Sequence, residues 1–145
     1  MPGCVLRAGS ESFDVEAFLA VSSWEPSAVY RRGESRKPNR ISAHSGFNLV
    51  VSDHDRIAQQ IPDVLLFLAA HESEIRRLVE SVGPENVVLD FGTGFRDTAA
   101  QSELLTATLV RAAGSANVAL EISIYLIDDP RNESRGNADA IRRRG

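Results

Sequence analysis

The stretch from Val118 to Leu126 constrains the fold of this chain more than any other part of the sequence. Its even positions are all apolar, whereas its odd positions are mostly polar, charged or aromatic. Alternation with a period of two residues is typical of a β-strand that packs one face on a core and leaves the other more open. We therefore predict a sheet, and we expect Leu120, Ile122 and Ile124 to point toward helices.

Weaker patterns predict the other elements of the chain. Short apolar or alternating runs indicate four further strands, at residues 4–8, 28–31, 47–51 and 87–91. Capping residues and apolar residues at helical spacing indicate helices from Asp14, from the Ser52–Asp55 region and from Thr98. The second helical segment runs to Val82, with a kink or fresh start expected at Pro62 and a break near Ser73. Residues 34–45 are expected to form one long loop.

The order of these elements predicts the fold class, which is α+β. The order β-α-β-β-α-β-α-β begins as the ferredoxin-like, split β-α-β arrangement, extended by one helix and one strand. We expect a two-layer sandwich with a largely antiparallel sheet and helices on one face. Residues 1–129 are predicted to form a single domain, and the polar residues 130–145 a flexible C-terminal tail.

Composition limits the function classes. The single cysteine, Cys4, allows no intramolecular disulfide, which fits a reducing compartment and predicts a cytoplasmic location. The longest apolar run, Val64–Ala70, is far shorter than the ~20 residues of a membrane-spanning helix, so we expect no membrane contact. The formal net charge of −4 works against non-specific binding to nucleic acid, although basic residues cluster between Arg31 and Arg40.

Several short motifs resemble chemical sites without matching one. Asp53-His54-Asp55 has no recognised metal-ligand spacing, and its carboxylates are better explained as helix caps. Phe91-Gly92-Thr93-Gly94 follows a strand but lacks the further residues of a phosphate-binding loop, so a turn is expected. The first strand lacks the aromatic residues of an RNA-recognition module. We therefore predict no cofactor, no metal and no nucleic-acid partner.

Strand parity predicts which residues share the sheet face opposite the helices. That face would carry four valines at positions 5, 29, 50 and 88, more than a fully solvated sheet face usually carries, so part of it is expected to be covered. The protein's own loop at 34–45, its tail, a second copy of the chain and a protein partner are the alternatives. The candidate binding residues on this face are Arg7, Arg31, Asn48, Asp90, Glu121, Ser123 and Tyr125.

The chain also resembles a bacterial family of small domains of unknown function over most of residues 4–127. The resemblance lies in the order and spacing of Phe13-Asp14-Val15-Glu16, Tyr30-Arg31-Arg32-Gly33-Glu34, Ser45-Gly46-Phe47, the leucines of 65–68, and the segment from Leu104-Leu105 to Ile124-Tyr125. Some members of such families look like immunity proteins of contact-dependent toxins. The resemblance therefore implies a binding role and carries over no catalytic residues.

Three functions compete on these observations. The leading hypothesis is a non-enzymatic protein-binding domain, of an immunity-type inhibitor kind, that uses the open sheet face. The alternative is a small-ligand-sensing regulatory domain that acts as a dimer. An enzyme would need acid–base groups, for which Asp90, His54 and Glu121 are the candidates, but nothing in the sequence brings the three together.

Overall fold

The computed structural model describes residues 2–37 and 40–126 of the 145-residue chain. The strands are β1 (Gly3–Ser10), β2 (Ala28–Tyr30), β3 (Ser35–Lys37), β4 (Arg40–Ile41), β5 (Ser45–Ser52), β6 (Val87–Gly94) and β7 (Ala119–Tyr125). The helices are α1 (Val15–Ala20), α2 (Ile57–Ala70), α3 (Glu72–Val82) and α4 (Ala107–Ser115). The predicted tail, residues 130–145, lies outside the described residues.

The main sheet has five strands in the order β2-β5-β1-β6-β7. β1 is antiparallel to both β5 and β6, and β2 is antiparallel to β5. The four strands β2, β5, β1 and β6 thus have the split β-α-β order that the sequence predicts. β7 is added beside β6 and runs parallel to it, as a strand does when a helix forms the crossover.

One hydrophobic cluster joins the sheet to the helices. Leu6, Phe47, Leu89 and Phe91 are completely buried on one face of the sheet, and residues from α1, α2, α3 and α4 belong to the same cluster. Fully burying an apolar side chain of this size contributes roughly 1.5–3 kcal/mol each. The predicted α+β class and two-layer sandwich are confirmed.

The last strand departs from the prediction in its burial. Ile122 and Ile124 lie opposite Phe91 and Thr93 of β6, so they share the helix-facing side as expected. However, Ile122 is 39% and Ile124 59% exposed. β7 lies at the edge of the sheet and α4 is only nine residues long, so the helix layer ends before it covers the end of the strand.

Three local predictions are also wrong. Residues 34–45 contain the β3–β4 hairpin, a second two-stranded sheet, and not one continuous loop. α2 continues through Pro62, so the fresh helix start expected there is wrong, whereas the break expected near Ser73 is confirmed and falls at His71. α4 begins after Thr106, whose hydroxyl accepts from the amide of Leu109, and not at Thr98.

Within the described residues, none of the helices combines the length and the apolar character that crossing a membrane requires.

Candidate functional site

The open face of the sheet carries a cluster of charged side chains from three neighbouring strands. Arg7 of β1 donates to Glu121 of β7 at 2.6 Å and lies 3.6 Å from Asp90 of β6. Ser123 of β7 donates to the other oxygen of Asp90 at 2.7 Å. The structure therefore brings together four of the predicted residues, and one guanidinium lies close to two carboxylates.

The cluster forms because these positions have the same parity in adjacent strands. Asp90 lies directly opposite Glu121 in the parallel pair, and Arg7 lies opposite Val88 in the antiparallel pair. The Asp90 side chain is only 13% exposed, so its carboxylate needs the partners that Arg7 and Ser123 supply. The arrangement holds the Arg7 head in a defined position on the face.

Two further predicted residues extend this face on either side. Asn48 of β5 lies opposite Arg7, and its main-chain carbonyl accepts from Ser27. Tyr125 lies near the end of β7 and is 39% exposed. Val50 has the same parity as Asn48 and is 51% exposed, which makes it the most exposed of the predicted valines. The open face is therefore mixed, with apolar side chains around a charged centre.

The predicted placement of Arg31 and Val29 on this face is wrong. Val29 lies opposite the buried Phe47 and packs against the core. Arg31 follows β2, and its guanidinium bonds to Glu16 of α1 and to Glu34, an arrangement that raises the pKa of Arg31. A strand of three residues is too short for alternation to fix its parity, so the prediction was shifted by one position.

The residue that takes the place of Arg31 on the open face is Tyr30. Its hydroxyl lies beside Gly9 and Gly46, so that a Cβ added at Gly9 would be 2.7 Å from it and one added at Gly46 would be 2.5 Å from it. The two glycines are paired across β1 and β5. Their lack of side chains leaves room for the tyrosine ring. This pairing of glycines is the signal that sequence reasoning missed.

An open cleft of about 790 Å³ lies at this end of the face. Arg7, Gly9 and Tyr30 line it from the sheet. The segment Arg40–His44, which begins with β4 of the hairpin, lines one side, and Glu85, Asn86 and Glu121 line the other. Part of the open face is thus walled by the protein's own 34–45 segment, one of the alternatives that the sequence left open.

Hydrogen bonds hold the wall formed by the hairpin segment. The amide of Gly33 donates to the carbonyl of Ser42 at 2.9 Å, and the amide of Ser42 donates to the carbonyl of Glu34 at 2.9 Å. The Ser42 hydroxyl donates to the carbonyl of His44 at 2.6 Å. The wall is therefore part of the folded structure.

The remaining chemical candidates lie elsewhere. Burial, and then the charge of Asp90, raises the pKa of the Cys4 thiol to about 12, so Cys4 is a buried apolar side chain and not a thiolate. Gly92 and Gly94 are part of β6, so the predicted turn does not form there.

The Asp53–Asp55 segment does not cap α2 as predicted. The helix N-cap is Arg56, without a side-chain hydrogen bond. His54 instead lies 3.7 Å from Asp63 of α2, and its carbonyl accepts from Gln60. In residues 2–37 and 40–126, no group of three His, Cys, Asp or Glu side chains is arranged to hold a metal ion.

Comparison with known proteins gives a family and no closer relative. Neither the curated proteins nor the solved structures include a match to this chain. The model of one family matches residues 3–127, which include every strand and helix described above. The chain therefore belongs to the family described as Domain of unknown function (DUF4279).

Proposed function

We propose that this domain is a non-enzymatic protein-binding module whose open sheet face contacts the partner. The observation that carries the proposal is the composition of that face. Exposed or half-buried apolar residues, among them Val50 and Tyr125, surround a fixed charged cluster centred on Arg7. Exposed apolar and aromatic side chains together with an ordered arginine are residue types that are enriched at protein–protein interfaces.

The energetics favour covering this face. Apolar surface removed from water contributes roughly 25 cal/mol per Å², and Val50 and Tyr125 retain 51% and 39% of their surface. Arg7 is held by two carboxylates, so a partner that contacts it loses little side-chain entropy. Arginine and tyrosine are the residue types most often found as binding anchors.

The positions of the acid–base candidates support a binding role over catalysis. Asp90 and Glu121 lie on the open face, where both share Arg7. The carbonyl of His54 instead accepts from Gln60, a completely buried residue of α2 whose amide also donates to the Gly92 carbonyl. His54 therefore lies on the helix side of the sheet, away from the two carboxylates, and the three cannot form one acid–base group.

Photocrosslinking in the native host tests the proposal. A photoreactive phenylalanine analogue replaces Val50 on the open face, and in a control protein it replaces Leu66, which is 71% exposed on α2. We expect the probe at position 50 to crosslink one protein reproducibly, and the probe at position 66 to give none. Equal crosslinking from both positions, or none from position 50, would refute the proposal.

The finer form of this function is inhibition of a toxin, as in immunity proteins of bacteria, acting in the cytoplasm. The resemblance of the sequence to families with such members supports it. Co-expression with toxin genes from the same genomic neighbourhood tests it, with growth as the readout. Rescue by the wild-type chain and loss of rescue with Arg7→Glu, against unchanged rescue with Arg76→Glu on α3, is the expected result.

The cleft favours one alternative function, a small-ligand-sensing regulatory domain that acts as a dimer. Its volume of about 790 Å³ lies within the range of ~300–1,000 Å³ common for ligand sites. A thermal-shift screen with nucleotides and amino acids separates the two functions. A ligand at a hundred times its dissociation constant would add about 2.7 kcal/mol to the free energy of unfolding.

A further inference from the structure

The cleft beside Tyr30 has walls of opposite charge. On the hairpin side, the Arg40 guanidinium is exposed and has no ion-pair partner among the described residues, and the His44 imidazole lines the same wall. On the other side, Glu85 and Glu121 line the wall. The two walls lie on opposite sides of β1, since Gly9 is paired with Gly46 of β5 and its amide donates to the carbonyl of Asn86 just before β6.

Two arginines near the cleft are already paired with carboxylates of the chain. Arg7 is bound by Glu121 and lies close to Asp90, so it contributes no free cation to the cleft. Arg31 is bound by Glu16 and Glu34. Among the described residues that line the cleft, the charged side chains without an ion-pair partner are Arg40 on one wall and Glu85 on the other.

We propose that the cleft binds a polypeptide segment of the partner that places a carboxylate against Arg40 and His44 and a cationic side chain against Glu85. This inference rests on the proposed function and specifies the chemistry of the partner. Charge complementarity selects the occupant, because a segment of a single charge would be repelled by one wall.

The form of the cleft fits a chain segment. The cleft is open, and it continues onto the same sheet face through Val88 of β6. A segment bound there would extend toward the apolar residues of the face, which a free amino acid or nucleotide would leave exposed. The hydrogen bonds of Ser42 fix the hairpin wall before binding, so both charged walls are in place.

Three capped peptides test the charge pattern in a titration of the ¹⁵N-labelled domain followed by amide chemical shifts. Their sequences are Glu-Gly-Gly-Lys, Glu-Gly-Gly-Glu and Lys-Gly-Gly-Lys, at low ionic strength. Each exposed ion pair contributes up to about fivefold in affinity, so we expect the first peptide to bind about fivefold more tightly than the other two. The shifts should fall at residues 40–44 and 85–86.

A charge reversal makes the test specific. In Arg40→Glu both walls are acidic, so the preference should change to the Lys-Gly-Gly-Lys peptide. Arg111→Glu on α4, which is exposed and outside the cleft, should keep the wild-type preference. Equal binding of the three peptides, shifts outside the cleft, or an unchanged preference in Arg40→Glu would overturn the inference.

The outcomes separate the inference from the proposed function. A protein crosslinked at position 50 together with no selective peptide binding leaves the proposed function standing and refutes the charge pattern. Selective peptide binding without a crosslinked protein supports the charged cleft and refutes the use of the wider face. If free glutamate and free lysine shift the same amides as strongly as the peptides do, the cleft is a small-ligand site and the polypeptide inference falls.

Discussion

Replacing Gly46 by alanine tests the packing beneath the cleft. An added Cβ would lie 2.5 Å from the Tyr30 hydroxyl and 2.7 Å from the adjoining ring carbon, and it would also overlap the main-chain oxygen of Ala8. Because that oxygen belongs to the central strand, it cannot move aside as a side chain does. Overpacking of this kind lowers the free energy of unfolding by about 2 kcal/mol. This loss exceeds the ~0.5–1 kcal/mol by which alanine stabilises a folded protein relative to glycine, because the unfolded chain with alanine has less conformational entropy.

Urea denaturation measures this cost. We expect Gly46→Ala to lower the urea midpoint at an unchanged slope and to lower Tm by about 4–8 °C. Gly114→Ala is the matched control, since that glycine lies in α4 and an added Cβ would meet no atom within 4 Å. It should raise the stability by about 0.5–1 kcal/mol. If Gly46→Ala were neutral or stabilising, the close packing of Tyr30 on the paired glycines would be wrong.

Three other changes have expected outcomes. Gln60 is completely buried and donates to two main-chain carbonyls, so Gln60→Ala should cost about 3 kcal/mol in a urea titration, against little for the exposed Gln59→Ala. Thr106→Ala removes the cap of α4 and should cost about 1 kcal/mol, whereas Thr98→Ala should be nearly neutral; equal losses would contradict the observed helix start. The pKa of Cys4 rises from 9.0 to about 12 on folding, so the thiol should resist alkylation at pH 8 until the protein unfolds. The stabilisation that comes from keeping the Cys4 thiol protonated is complete below pH 9 and declines as the pH rises toward 12. The free energy of unfolding, measured in urea across this pH range, checks this decline.

Alternation predicted the sheet well where the strands were long. β1, β5, β6 and β7 each have seven or eight residues, and their parity places Arg7, Asn48, Asp90 and Glu121 on one face as predicted. β2 has only three residues, which are too few for alternation to show which face each side chain takes. For that reason the sequence pattern assigned Arg31 to the open face, whereas in the structure Tyr30 lies there.

Burial was harder to predict than direction. The parity of Ile124 indicated correctly that it points toward the helix side, but not that α4 would end before covering it. Helix coverage depends on helix length and start, and the start of α4 was misplaced because Thr98 and Gln101 resemble a capping box. In the structure Gln101 instead accepts from the amide of Arg96 and donates to the carbonyl of Gly94, which ties the loop to β6.

The cleft could not be predicted from patterns at all. It depends on the hairpin of β3 and β4, whose short strands have no clear alternation. It also depends on contacts between residues far apart in the chain, such as Gly9 and Asn86. Sequence periodicity reports the direction of a side chain within its own element, and such long-range contacts lie beyond it.

The central position of β1 has a consequence for how the chain acquires its structure during synthesis. β1, the earliest of the described strands along the chain, is bordered on both sides by strands that are synthesised later, β5 and β6. Its main-chain groups on one side cannot pair until β5 has been synthesised, and those on the other side cannot pair until β6 has been synthesised. Closing such long loops is slow. Complete burial of Cys4, Leu6 and Ala8 on the helix side of β1 therefore also comes late in the assembly of the sheet.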